Sequence, residues 1–134
     1  LVADILKASR NVHVMRDPTR GGLATSLNEI ALQSGVEIII GEASIPIRDE
    51  VAGACEMLGL DVFSMANEGK LVAFVPEADA GKVLKAMKSN PLGREAAIIG
   101  QVRGDSTSRV ILKTLIGGKR ILDMPSGELL PRIC

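Results

Sequence analysis

The sequence predicts an α+β domain with helices packed on a mixed, largely antiparallel sheet. Three observations carry that expectation. Segments of helical period and segments of strand period follow one another without strict alternation. Several strand-like runs are separated only by short turn sequences, the pattern of hairpins. A chain of 134 residues, 46% of them hydrophobic, buries roughly two-thirds of the surface its unfolded form exposes, enough for one domain around one core.

The elements follow in order. "LVADILKASR" is amphipathic at helical spacing and opens in mid-helix, which makes the chain read as part of something longer. "NVHVMRD" alternates as a strand, with Val12, Val14 and Arg16 on one side and His13 and Met15 on the other. In "DPTRGGLATSLNEIALQSG", Asp17 is expected to cap a helix and Pro18 to be its first residue. Leu23, Leu27, Ile30 and Ala31 then form its buried face, and Gly35 stops it. "VEIIIGEASIPI" is an apolar, β-branched strand and its exit, and "RDEVAGACEMLGL" is a helix running to Gly59 with Val51, Cys55 and Leu58 on one face. Two short strands are expected around the turn in "DVFSMANEGKLVAFV". Ala80, Val83, Leu84 and Met87 mark a helix between Pro76 and Asn90-Pro91, and "AAIIGQVRG" and "SRVILKTLIGGKRILD" supply the last strands.

Composition excludes several partners. The 16 basic and 16 acidic side chains cancel, so the basic footprint of a nucleic-acid or anionic-membrane binder is missing. Two Phe with neither Trp nor Tyr leave no base-stacking platform. No apolar run approaches the roughly 20 residues that span a bilayer, and no secretion signal is recognisable, so a cytoplasmic location is expected. His13, the only histidine, has no second ligand at metal spacing and reads as a half-buried strand residue, with no metal site expected. Two cysteines make no disulfide framework; Cys55 reads as core packing.

Three stretches are left for chemistry. The first is the end, "MPSGELLPRIC", where Pro125, Gly127 and Pro131 interrupt regular structure and Cys134 sits on the α-carboxylate. That charge opposes thiolate formation, so the thiol is a poor spontaneous nucleophile. From Met124 it reaches up to roughly 33 Å at about 3.3 Å per residue. It is either a swinging arm bearing a chemical group or an ordinary frayed terminus. The second is "RDPTRGG", a basic residue and two glycines at a helix start, where exposed N–H groups and the helix dipole suit a phosphate or another anion. The third is "ANEGK", in which Asn67 and Gly69 are turn formers and Glu68 is either a solvated carboxylate or a general base.

Taken together, "MRDPTRGGLATSLNEIA", "ANEGKLV" and the final "LPRIC" resemble the C-terminal half of the HypE family of hydrogenase maturation proteins. That family falls within the superfamily of aminoimidazole ribonucleotide synthetase, selenophosphate synthetase and thiamine phosphate kinase. The resemblance covers essentially the whole chain. It implies the fold of the synthetase C-terminal domain over residues 1–123, a flexible tail at 124–134, and a separate N-terminal domain that binds ATP and Mg2+ and forms a homodimer. It also implies an ATP-dependent dehydratase. A carbamoyltransferase, HypF, loads the thiol of Cys134, the resulting thiocarbamate is dehydrated to a thiocyanate, and the cyano group passes to iron on a HypC-HypD scaffold for a [NiFe] hydrogenase. Activation of the amide oxygen as an iminophosphate needs a phosphate cradle and a base shielded from water. By resemblance, Glu68 is that base, with Asn67 its orienting neighbour. Thr19, Arg20, Gly21 and Gly22 approach the phosphates with help from Asp17, and the charge of Arg132 suits it to docking the tail. The other readings are a C-terminal domain of a different ATP-using synthetase or small-molecule kinase, and a non-catalytic module that docks partners.

Overall fold

The computed structural model describes residues 1–104 and 107–124. These form four helices, α1 (Val2–Ala8), α2 (Gly22–Ser34), α3 (Asp49–Leu58) and α4 (Glu77–Ser89). Six strands accompany them: β1 (Val14–Arg16), β2 (Glu37–Gly41), β3 (Val72–Phe74), β4 (Gly100–Arg103), β5 (Val110–Lys113) and β6 (Lys119–Ile121). Four strands make one sheet in the order β4-β2-β5-β6, and β1 pairs with β3 in a separate ribbon. Only β2 and β5 run parallel; the other pairings are antiparallel. The architecture is the expected α+β mixture with a largely antiparallel sheet.

The centre of the sheet follows from "EIIIG". Three successive isoleucines suit a strand covered on both faces, and Ile38, Ile39 and Ile40 are all buried in β2. Ile38 and Ile40 face α2, whose Ala24, Leu27, Ile30 and Ala31 meet them together with Val110, Leu112, Phe63 and Leu122. The alanines let the helix lie close to the sheet. A left-handed Gly35 ends α2, and a left-handed Gly59 ends α3.

A second junction joins α1 to α4. Ile5 and Val83 are buried there, and polar groups close both ends. The Ser9 hydroxyl donates to the Asp79 carboxylate, and Lys82 pairs with the same carboxylate at 2.8 Å. At the other end the Asn90 amide donates to Asp4 at 2.7 Å.

Several expectations give way. The helix expected from Pro18 begins at Gly22, because Gly21 and Gly22 both have φ near +60°, a conformation that a right-handed helix does not continue through. Asp17 therefore caps no helix; its carboxylate accepts from the Thr19 hydroxyl at 3.3 Å. The first strand expected in "DVFSMANEG" is a 3-10 turn over Val62–Ser64, because the Asp61 carboxylate accepts from the Phe63 N–H and caps it. On α3 only Cys55 is buried, whereas Val51 and Leu58 are exposed. His13 is exposed rather than half-buried, and its N–H donates to the Phe74 carbonyl at the margin of the β1–β3 ribbon.

Candidate active site

The two internal motifs lie about fifty positions apart in sequence and meet in the structure. The Asn67 N–H donates to the Pro18 carbonyl at 3.0 Å, tying the turn that carries Glu68 to the loop that leads into α2. Pro18 is itself buried. A few residues on, Gly22 presses against the segment just before that turn. A Cβ at Gly22 would stand 2.5 Å from the carbonyl oxygens of both Phe63 and Met65. Glycine at this place serves close backbone approach as well as the left-handed φ.

Each loop is braced within itself. The Asn67 side-chain amide donates to the Met65 carbonyl at 3.0 Å, so Asn67 fixes the turn from both its backbone and its side chain. Gly69, at φ +69°, completes the reversal and leaves Glu68 exposed. At the head of α2, Gly21 is the N-cap and has no side chain with which to cap the helix. The first turn of α2 contains no acidic residue. Its N-terminal N–H groups and the positive end of its dipole are thus left for an external acceptor.

The flanking charges have separate assignments. Arg16 is paired with Glu29 across the first turns of α2, a restraint that sequence reading missed because the partners are thirteen residues apart. Arg20 is exposed on the loop beside the helix start, and Thr19 is half-buried there. The structure thus joins the loop that carries Asp17, Thr19, Arg20, Gly21 and Gly22 to the turn that carries Asn67 and Glu68 at two places, Pro18 with Asn67 and Gly22 with the Phe63–Met65 segment. Cys134 and Arg132 lie outside the described residues. One polar residue that sequence reading passed over is Asn28, buried in mid-helix on α2; its only signal is an asparagine where a helix interior disfavours one.

Chemically, the arrangement offers amide donors and a guanidinium for an anion beside an exposed carboxylate that can take a proton. Among the described residues no group of three or more His, Cys, Asp or Glu could hold a metal ion. No helix among the described residues is long and apolar enough to cross a membrane.

Fold and loops together define a class: an α+β domain that sets a glycine-paired helix start against an acidic turn. Residues 1–113 match the family "AIR synthase related protein, C-terminal domain", and the chain belongs to that family. It is 55% identical over its full length to the carbamoyl dehydratase HypE of Cupriavidus necator, of which it covers 38%. Among solved structures, the hydrogenase maturation protein HypE in complex with ATP superposes with a TM-score of 0.88 at 44% identity, covering 96% of this chain and 39% of that one. The HypE-HypF complex superposes with a TM-score of 0.86 at 41% identity, covering 92% of this chain and 40% of that one. The chain spans about two-fifths of the length of the curated relatives it matches.

Proposed function

We propose that the chain is the C-terminal part of an ATP-dependent carbamoyl dehydratase that turns an S-carbamoyl group on Cys134 into a thiocyanate. The observation that carries this reading is the hydrogen bond from the Asn67 N–H to the Pro18 carbonyl. It ties the turn that carries the base candidate Glu68 to the loop leading into α2. The 55% identity to a carbamoyl dehydratase and the likeness to a HypE bound to ATP support the same reaction.

In that reaction ATP activates the amide oxygen by phosphorylating it, with ADP as leaving group. The N-terminal N–H groups of α2 and the Arg20 guanidinium stabilise charge on the phosphoryl oxygens. Gly21 and Gly22 allow the backbone to come close. Of the two amide protons, one passes to solvent water as the O-phosphorylated imidate forms. Glu68 takes the other while the C–O bond breaks, so that the oxygen departs on phosphate and the C–N bond becomes a nitrile. Asn67 holds the turn that aims Glu68. Asp17 and Thr19, joined through their side chains, shape the loop in front of the helix, and Arg132 offsets charge at the tail.

The rest of the reading follows the same likeness. Residues 1–123 are the synthetase-like domain and 124–134 the carrier tail. Mg2+ and most ATP contacts belong to an N-terminal domain through which the protein forms a homodimer in the cytoplasm. HypF is the carbamoyltransferase that loads the thiol, a pairing supported by the solved HypE-HypF complex, and a HypC-HypD scaffold accepts the cyano group as a ligand for the iron of a [NiFe] hydrogenase.

The test is intact-mass analysis with peptide mapping of the full-length protein, incubated with the transferase and its carbamoyl donor, before and after ATP. The expected result is a carbamoyl adduct on Cys134 that loses the mass of water when ATP is added. An unmodified Cys134 beside a demonstrably active transferase refutes the reading. Glu68→Gln is expected to keep the carbamoyl adduct and to slow its dehydration by about a hundredfold or more; undiminished dehydration removes Glu68 from the mechanism.

A further inference from the structure

The β5–β6 hairpin carries two features that the helix start and the acidic turn do not use. The first is its tip. Where turns usually hold small or polar residues, this one presents Leu115 at 72% and Ile116 at 96% exposure. Its backbone is nevertheless fixed. The Thr114 N–H donates to the Gly118 carbonyl at 2.9 Å, and the Gly117 N–H donates to the Thr114 carbonyl at 3.0 Å. The Leu115 N–H donates to the carboxylate of Glu42, the residue that follows β2, at 2.9 Å. Two apolar side chains are thus held out to solvent on a braced turn, so burying them against another surface costs little further ordering of the backbone.

The second feature stands just behind the tip. Lys113 and Lys119 lie directly opposite each other in the register of β5 and β6, and both are exposed. Like charges in that arrangement repel, and among the described residues neither is paired with a carboxylate. Basic residues protect the open edge of a sheet, which accounts for Lys119 on the edge strand β6. It does not account for Lys113, because β5 lies between β2 and β6. The pair calls for carboxylates from another surface.

The position of the hairpin decides which surface that is. Only Gly35 and Val36 separate α2 from β2, so β2 turns back along the helix that covers it. Strand β5 runs parallel to β2. The turn that follows β5 therefore lies at the end of the sheet where α2 begins. The chain spans about two-fifths of the length of its curated relatives, and a domain on the same polypeptide is present at an effective concentration that a separate protein rarely reaches. A domain that delivers a nucleotide to the start of α2 has to sit at this end.

We propose that the β5–β6 hairpin is the docking element for the N-terminal, nucleotide-binding domain of the full-length protein, with Leu115 and Ile116 entering an apolar recess on that domain and Lys113 and Lys119 pairing with carboxylates at its rim. This inference rests on the reading of the chain as the C-terminal part of such a protein. It names the contact that holds the nucleotide against the start of α2.

The experiment is zero-length carbodiimide cross-linking of the full-length protein, with peptide mapping of the one-chain and two-chain bands of a denaturing gel. Asp79 and Lys82, 2.8 Å apart, supply the control link. The expected result is a link in the one-chain band from Lys113 or Lys119 to an aspartate or glutamate that precedes Leu1. Replacing both Leu115→Ser and Ile116→Ser, which are exposed and leave the core untouched, is expected to lower the yield of that link about tenfold or more with both lysines still present.

Absence of any link from Lys113 or Lys119 while the control link forms overturns the proposal. So do links found only in the two-chain band, which make the hairpin a contact between copies, and links that form only after the transferase is added, which make it the transferase's site. An unchanged yield in the double variant also overturns it. Failure of the functional reading shows differently: a full-length protein that binds no ATP in calorimetry removes that reading, while the links still decide whether the hairpin meets the N-terminal domain.

Discussion

Gly22 shows how one position can answer two demands. Its φ of +63° excludes side chains by conformation, and the Phe63 and Met65 carbonyls exclude them by contact. Gly22→Ala is therefore expected to destabilise the fold by about 3 kcal/mol, adding left-handed strain to a backbone clash; chemical denaturation of the two proteins checks it. The glycine pair was legible in "RDPTRGG" as a backbone requirement at a helix start. That its contact would be the segment before "ANEGK" was not legible, because nothing local relates residues 22 and 65. Asn67 has a similar history: its turn-forming habit is a sequence property, but its N–H bond to Pro18 joins loops that only the folded chain brings together.

At the scale of elements, β2 is the best specified by its own residues. Three consecutive isoleucines demand burial on both faces, and the sheet places them at its centre with β4 and β5 as neighbours. Ile40→Ala is expected to cost about 2–4 kcal/mol, from lost transfer free energy and the cavity left behind, measured as a shift in denaturation midpoint at constant slope. The α1–α4 junction depends instead on polar staples. Hydrogen bonding from Lys82, and then from Ser9, holds the Asp79 carboxyl below the usual carboxylate value. A pKa lowered in the folded state stabilises the fold above the unfolded value of about 3.9 and loses that contribution as pH falls through the lower folded value. Acid titration of stability below about pH 4 is thus expected to be shallower in Asp79→Asn than in wild type. Helices α1 and α4 were both legible from their periodicity; that they pack together was not, since Ser9 and Asp79 are 70 positions apart.

For the whole molecule, the described core closes at Leu122, the last of its buried residues. Removing residues 125–134 from the full-length protein takes away the proposed acceptor thiol of Cys134 and is expected to abolish carbamoyl uptake; intact mass reads the effect. The amino-acid order by itself determined the fold class, the buried face of α2, the stops at Gly35 and Gly59, and the two motifs with chemistry in them. These depend on period, backbone freedom and side-chain type, which are properties of a short stretch. Only the tertiary structure decided where α2 begins, that 62–64 is a 3-10 turn, that the face of α3 bearing Val51 and Leu58 is exposed, and that the two motif loops share a hydrogen bond. Those outcomes depend on contacts between residues distant in the chain, whose energies have no counterpart in local pattern.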